Sequence, residues 1–123
     1  MRWMALTLIT GSVLAGAYSA HAEIAPEFRG EWSTDWHICK QVNGEIDVLS
    51  VGKDDFAFYE VGCSVGAASP IDGGISYAAT CQKGGSQLTQ GRAEFRRSGN
   101  ALVLALEGFP WGASDGLTFN RCK

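Results

Sequence analysis

The chain has little proline, little histidine and no excess of positive charge. Its 123 residues include 3 prolines and 2 histidines, and 10 basic side chains stand against 13 acidic ones. Low proline excludes a Pro-rich linker, although 16 glycines supply frequent turns. A formal net charge of −3 argues against binding to nucleic acid through a basic face. The length allows one domain, and an apolar content of 46% is that of a folded domain.

The sequence also lacks the signatures of a catalytic or metal site. It contains no C-x-x-C pair, which zinc knuckles and thioredoxin-like sites require, and no G-x-S-x-G nucleophile motif. Asp35 and His37 are too few to hold a metal ion. Asp54 and Asp55 are adjacent, so on a strand they would point to opposite faces, and we interpret them as a solvated turn. We therefore expect a protein that is not an enzyme, with no catalytic residue, metal or cofactor.

The first 22 residues have the three-part layout of a secretory signal peptide. Met1-Arg2 gives a positive start, residues 5–17 are apolar or small, and Ala20-His21-Ala22 matches the A-x-A cleavage pattern. The apolar stretch is shorter than the roughly 20 residues that span a bilayer, so we expect no stable membrane anchor. The sequence predicts cleavage after Ala22, a single domain over residues 23–123, and a periplasmic or secreted location.

Alternating apolar residues, interrupted by glycine-rich segments, predict an all-β domain after the signal peptide. The pattern predicts strands at residues 31–34, 46–51, 56–65, 75–82, 88–97, 101–106 and 117–121, and one helical turn at 35–41. Short connections favour neighbouring antiparallel strands. The expected fold is a small antiparallel up-and-down barrel of about 7–8 strands, with a flattened sandwich as the alternative.

The alternation also predicts which side chains face the core. In the fifth predicted strand Phe95 should point inward and Arg92 outward, and in the last strand Leu117 should point inward. In the third, Cys63 should lie on the opposite face from Phe56. The orientation of each residue depends on the strand boundaries, because a shift of one residue exchanges the two faces.

Four cysteines remain after the signal peptide: Cys39, Cys63, Cys81 and Cys122. An even number in a small exported domain predicts a framework of two disulfides. A three-residue turn at 71–73 would place Cys63 opposite Cys81, whereas a two-residue turn would shift the register by one. With alternating strands, the loop holding Cys39 and the end of the seventh strand fall at the same end of the barrel. Both arguments favour Cys63–Cys81 with Cys39–Cys122.

Three tryptophans also follow the signal peptide and are candidates for a structural or recognition role. We interpret Trp32 as a plug at one end of the core. Phe109 and Trp111 flank a proline in an apolar loop, and they either cap the barrel or anchor a partner, since tryptophan is enriched in such anchors. We take Phe109, Trp111 and Trp36 as the candidate partner-binding residues.

Gly30-Glu31-Trp32, followed by Cys39, resembles the G-x-W first strand of lipocalin-like and avidin-like barrels. It is more similar to bacterial periplasmic inhibitors of metalloproteases, in which G-x-W precedes one cysteine and a second follows, here Cys63. This resemblance implies the other disulfide pairing, Cys39–Cys63 with Cys81–Cys122. It also implies inhibition through an N-terminal trunk placed in the protease cleft.

A second segment, Gly74-Ile75-Ser76-Tyr77 with Lys83-Gly84 and Leu88 beyond it, is similar to the S-G-x-x-Y loop of periplasmic lysozyme-inhibitor barrels. Both families are small exported barrels that bind another protein. The resemblances imply a non-enzymatic binding protein with a periplasmic or extracellular protein as partner, inhibition of a hydrolase being one form of this function. The alternative is a lipocalin-like carrier of a small apolar ligand, which an interior cavity of several hundred Å³ would favour.

Overall fold

Eight antiparallel strands form a closed barrel in the computed structural model, which describes residues 22–34 and 48–122. Each strand pairs with its neighbour in sequence, and the last pairs with the first, so the predicted up-and-down topology is confirmed. A short 3-10 helix (Pro26–Phe28) precedes the barrel. The strands are β1 (Gly30–Ser33), β2 (Val48–Val51), β3 (Asp55–Phe58), β4 (Val61–Ile71), β5 (Gly74–Lys83), β6 (Thr89–Ser98), β7 (Ala101–Glu107) and β8 (Leu117–Arg121).

The predicted third strand is in fact two strands, β3 and β4. The chain reverses at Tyr59 and Glu60, and Tyr59 adopts a left-handed backbone with φ 47°. Phe56 consequently lies opposite Cys63, and both are buried. The prediction that these two residues occupy opposite faces is therefore wrong, because the turn moves the alternation by one residue.

The β4–β5 hairpin brings Cys63 opposite Cys81, and the predicted disulfide between them is present. The turn has two residues, Asp72 and Gly73, and not the predicted three. A β-bulge between Val65 and Ala68 restores the register that this turn shifts. The pairing is confirmed, but the bulge, not the turn length, aligns the two cysteines.

The Cys63–Cys81 bridge excludes the pairing that the inhibitor resemblance implied, since neither cysteine is left for Cys39 or Cys122. The argument from strand direction is also wrong, because eight strands place the end of β8 beside the start of β1. There the backbone N–H of Cys122 donates to the carbonyl of Glu31 over 2.9 Å. Cys122 is itself disulfide-bonded. Cys39 lies outside the described residues, as do the predicted helical turn at 35–41 and the start of the predicted second strand.

Side chains from all eight strands fill the interior of the barrel. Phe95 is fully buried, and its ring lies 5.3–5.5 Å from the rings of Phe28, Phe56 and Tyr77. Phe95 thus faces inward as predicted, and Arg92 faces solvent. The largest fully buried side chains are Trp32, Tyr77, Phe28, Phe95, Phe119, Ile24, Leu49, Leu102, Leu104 and Leu106.

Residues 22–29 close one end of the barrel, which we call the sealed end. Phe28 is buried there, and its carbonyl accepts a hydrogen bond from Nε1 of Trp32 over 2.9 Å. The Arg121 guanidinium lies 3.9 Å from the Trp32 ring centroid and donates to the carbonyls of Glu27 and Arg29. Trp32 therefore plugs the core at this end, as the sequence predicts, and β8 ties the N-terminal segment to the barrel.

Tyr77 provides a second attachment for the N-terminal segment. Its hydroxyl accepts a hydrogen bond from the backbone N–H of Ala25 over 2.9 Å, while the N–H of Ile24 donates to the Lys53 carbonyl over 2.7 Å. Burial raises the pKa of the Tyr77 hydroxyl above its usual value, although the hydrogen bond from Ala25 acts in the opposite direction. The neutral hydroxyl is therefore the form that the folded protein favours.

Candidate functional site

Three of the connections that the structure describes meet at the opposite end of the barrel, which we call the loop end. They are the turn at residues 59–60, the loop at 84–88 and the loop at 108–116. The N–H of Gly84 donates to the Glu60 carbonyl over 2.8 Å, which joins the first connection to the second. The third loop folds back onto the barrel, where the Ala113 carbonyl accepts a hydrogen bond from the N–H of Leu106 over 2.9 Å.

Phe109 and Trp111, two of the predicted partner-binding residues, lie in this third loop. Phe109 is only 7% exposed and covers the start of β6, where a side chain at Gly91 would clash with its ring and with the Glu107 carbonyl. Trp111 is half-buried and stacks on Phe109, with ring centroids 4.9 Å apart and planes 18° apart. These contacts favour the cap interpretation of the loop, and Trp111 is its outer layer.

The indole of Trp111 carries an unusual feature. Its Nε1 atom is buried and has no hydrogen-bond partner among the residues that the structure describes. An unpaired buried donor costs about 1–3 kcal/mol relative to the same group in water. In the loop at 108–116 the Phe109 and Trp111 rings are therefore well packed, but the Trp111 N–H has no partner among the described residues.

The exposed large hydrophobic side chains of the described residues all belong to the loop end. They are Tyr59 in the first turn, Leu88 in the second loop and Leu117 at the start of β8, with 55%, 67% and 36% of their surface exposed. Leu117 lies opposite the buried Leu104, so it faces inward as predicted, but solvent reaches it. The sequence pattern places Tyr59 and Leu88 in strands, so neither residue is a predicted site residue.

Backbone strain is concentrated at the same end. Among the described residues, Tyr59 (φ 47°) and Ala113 (φ 82°) are the two non-glycine residues with a left-handed backbone. For an L-amino acid this conformation costs roughly 1–2 kcal/mol. Strained residues are often found at sites selected for function, since stability alone would favour glycine there.

The remaining candidate residues lie apart from this end or outside the described residues. Asp54 lies in the exposed β2–β3 turn, as predicted, whereas Asp55 is the exposed first residue of β3. Trp36, together with Asp35 and His37, lies outside the described residues. Across residues 22–34 and 48–122, no three His, Cys, Asp or Glu side chains come close enough to hold a metal ion.

Two hollows lie on the outer wall of the barrel, where small residues alternate with buried ones. One, of about 230 Å³, lies at the β4–β5 bulge beside Ser64 and Thr80. The other, of about 300 Å³, lies beside Ser50 and Ala57. Both lie outside the packed core. The described residues that line the first include no charged side chain, and Asp55 is the one charged residue that lines the second.

No family model, curated protein or solved structure matches this chain. The described residues also contain no helix long and apolar enough to cross a membrane.

Proposed function

We propose that this protein is an exported, non-enzymatic binding protein that contacts a protein partner through the loop end of its barrel. The observation that carries the proposal is the difference between the two ends. The sealed end is covered by the N-terminal segment, whereas Tyr59, Leu88 and Leu117 are exposed together at the loop end. Exposed large apolar side chains that occur at one end of a protein and not at the other favour an interaction site at that end.

The packed interior supports a protein partner over a small apolar ligand. Ligand pockets usually enclose about 300–1,000 Å³. Here Trp32, Phe95 and Phe119 occupy the space that such a ligand would need, and each is at most 1% exposed. A lipocalin-like carrier would have to expel large aromatic side chains from the core before it could bind its ligand.

Inhibition of a hydrolase is one form that this binding function could take. Because the N-terminal segment is fixed by Tyr77, Trp32 and Arg121, a trunk inserted in a protease cleft would require residues 22–29 to leave the sealed end. The loop end is therefore the better candidate for blocking a cleft.

Export is supported by the cysteines as well as by the N-terminal sequence. Stable disulfides such as Cys63–Cys81 are typical of secreted and periplasmic proteins. We further propose that Cys39 is the disulfide partner of Cys122. Cys122 is disulfide-bonded, and Cys63 and Cys81, the other two described cysteines, are bonded to each other. The intact mass of the exported protein tests both points. A start at Glu23 and no alkylation before reduction are expected, and two alkylated cysteines would refute the second bridge.

Site-specific photo-crosslinking tests the binding function. The full chain would be expressed in cells that export it, with p-benzoylphenylalanine in place of Leu88 at the loop end or of Asp72 at the sealed end. Both positions are exposed. We expect a discrete protein adduct from position 88 and none from position 72. Equal adducts from the two positions, or none from either, would contradict the proposal.

A further inference from the structure

The three connections that the structure describes at the loop end carry negative charge and no positive charge. Glu60 and Asp115 are exposed in the first turn and the third loop, and residues 59–60, 84–88 and 108–116 contain no lysine or arginine. The nearest cations belong to the strands. Lys83 is half-buried at the end of β5, and Arg92 lies on the wall, where its Nε donates to the Ser76 hydroxyl over 2.7 Å.

Four of the five described arginine side chains instead lie at the sealed end, where they have a structural role among exposed carboxylates such as those of Glu23 and Asp54. Arg29 donates to the Ile24 carbonyl over 2.7 Å, and Arg97 donates to the Gly99 carbonyl over 2.9 Å. Arg121 holds the N-terminal segment as described above. Since these guanidinium groups are occupied by backbone carbonyls on the far side of the barrel, they do not offset the charge at the loop end.

We propose that the loop end docks on a basic protein surface, an apolar patch bordered by lysine or arginine side chains. This inference rests on the proposed function and names the chemistry of the partner. Tyr59, Leu88 and Leu117 would supply the apolar contact, and Tyr is among the residues that most often dominate binding energy. Glu60 and Asp115 would lie at the rim of the interface, where charge acts mainly on the association rate.

The negative charges of Glu60 and Asp115 favour a protein surface over a lipid surface as the partner of the loop end. Exposed leucine and tyrosine side chains in neighbouring loops are also suited to insertion into a bilayer. Anionic headgroups, however, attract polybasic segments and repel carboxylates. Glu60 is next to Tyr59 in the same turn, so insertion of that ring would bring a carboxylate to the headgroups. A basic protein is therefore the occupant that the apolar and the charged residues favour together.

Association kinetics test the inference with the protein that crosslinks at position 88. The double variant Glu60→Gln/Asp115→Asn removes the two carboxylates of the described loop-end connections. The matched control Asp54→Asn/Asp72→Asn removes two exposed charges from turns at the sealed end. Surface plasmon resonance would measure the association rate at low and at physiological ionic strength. We expect the loop-end variant to associate about fivefold more slowly at low salt, with a weaker salt dependence, and the control to match wild type.

The outcomes separate this inference from the proposed function. If no protein crosslinks at position 88, both are overturned. If a partner is found and the two double variants bind at the same rate, the basic surface is refuted while the binding function stands. Sedimentation with phosphatidylcholine vesicles containing phosphatidylglycerol tests the lipid surface. Binding of wild-type protein that Leu88→Asp abolishes would refute a protein partner at this end.

Discussion

Replacement of Trp111 by phenylalanine should leave the free energy of unfolding within about 1 kcal/mol of wild type, or raise it. Phenylalanine keeps a ring that can stack on Phe109, which lies 4.9 Å from the indole centroid. It removes the buried Nε1–H that has no partner among the described residues, which recovers about 1–3 kcal/mol. The smaller ring loses apolar contact worth about 1 kcal/mol at this half-buried position. The two effects are of similar size and opposite sign.

Trp111→Ala is the matched comparison. It removes the stacked pair, worth about 0.5–1.5 kcal/mol, and also exposes the Phe109 ring, so we expect a loss of about 2–3 kcal/mol. Urea unfolding followed by circular dichroism at equal m-value measures both variants. If phenylalanine destabilises the protein as much as alanine does, the indole N–H makes a stabilising contact and the reasoning is refuted.

Three further perturbations test the core, the sealed end and the disulfide. Phe95→Asp should unfold the protein, because an unpaired buried carboxylate costs several kcal/mol. The control Arg92→Asp, on the outer face of the same strand, should cost at most about 1 kcal/mol. Equal melting temperatures for the two variants would contradict this assignment of faces. Tyr77→Phe should reduce the loss of stability at alkaline pH. Because the folded-state pKa is raised, the neutral hydroxyl contributes stability that is complete below the ordinary tyrosine pKa of about 10 and is lost as pH rises towards the higher value. Urea unfolding at pH 8 and pH 11 checks this, and equal pH dependence in both proteins would refute it. Cys63→Ser/Cys81→Ser should cost about 3 kcal/mol in urea unfolding, and an unchanged midpoint would show that the bridge does not constrain the unfolded chain.

The strands of the second half of the chain could be predicted closely from the sequence. The predicted last strand, 117–121, matches β8, and the strand predicted at 101–106 is one residue shorter than β7. Their alternation is regular because one face of each strand is buried, and the glycine-containing turn at 99–100 marks the boundary. Phe95 faces the core for the same reason.

The turn at Tyr59 could not be predicted because it lacks the usual turn residues. A residue with positive φ is expected to be glycine, asparagine or aspartate, and a tyrosine there reads as part of a strand. The detectable signal is a change of phase. The apolar positions Phe56 and Phe58 are even-numbered, whereas Val61 and Cys63 are odd-numbered. An uninterrupted strand would not bury both sets on one side.

Part of the candidate site could be predicted from the sequence. Phe109 and Trp111 could be predicted because large apolar side chains in a loop must be covered by the core or by a partner. Both residues lie at the loop end. Tyr59 and Leu88 were missed because an isolated apolar residue beside a strand fits the alternation. Their common location appears only once the barrel is closed and the turn at residues 59–60 is recognised.

The two ends of the barrel differ in backbone strain and in how completely their apolar side chains are buried. Each end has one buried side-chain nitrogen without a partner among the described residues, Arg97 Nε at the sealed end and Trp111 Nε1 at the loop end. At the sealed end, backbone carbonyls of the N-terminal segment accept hydrogen bonds from Trp32 and Arg121, and the apolar residues are buried. At the loop end, Tyr59 combines a strained backbone with an exposed ring. Because most changes at such a position would relieve strain or exposure, folding stability alone does not account for this residue. A partner that covers the Tyr59 ring would account for it, since the strain would then hold that ring in the orientation that binding requires.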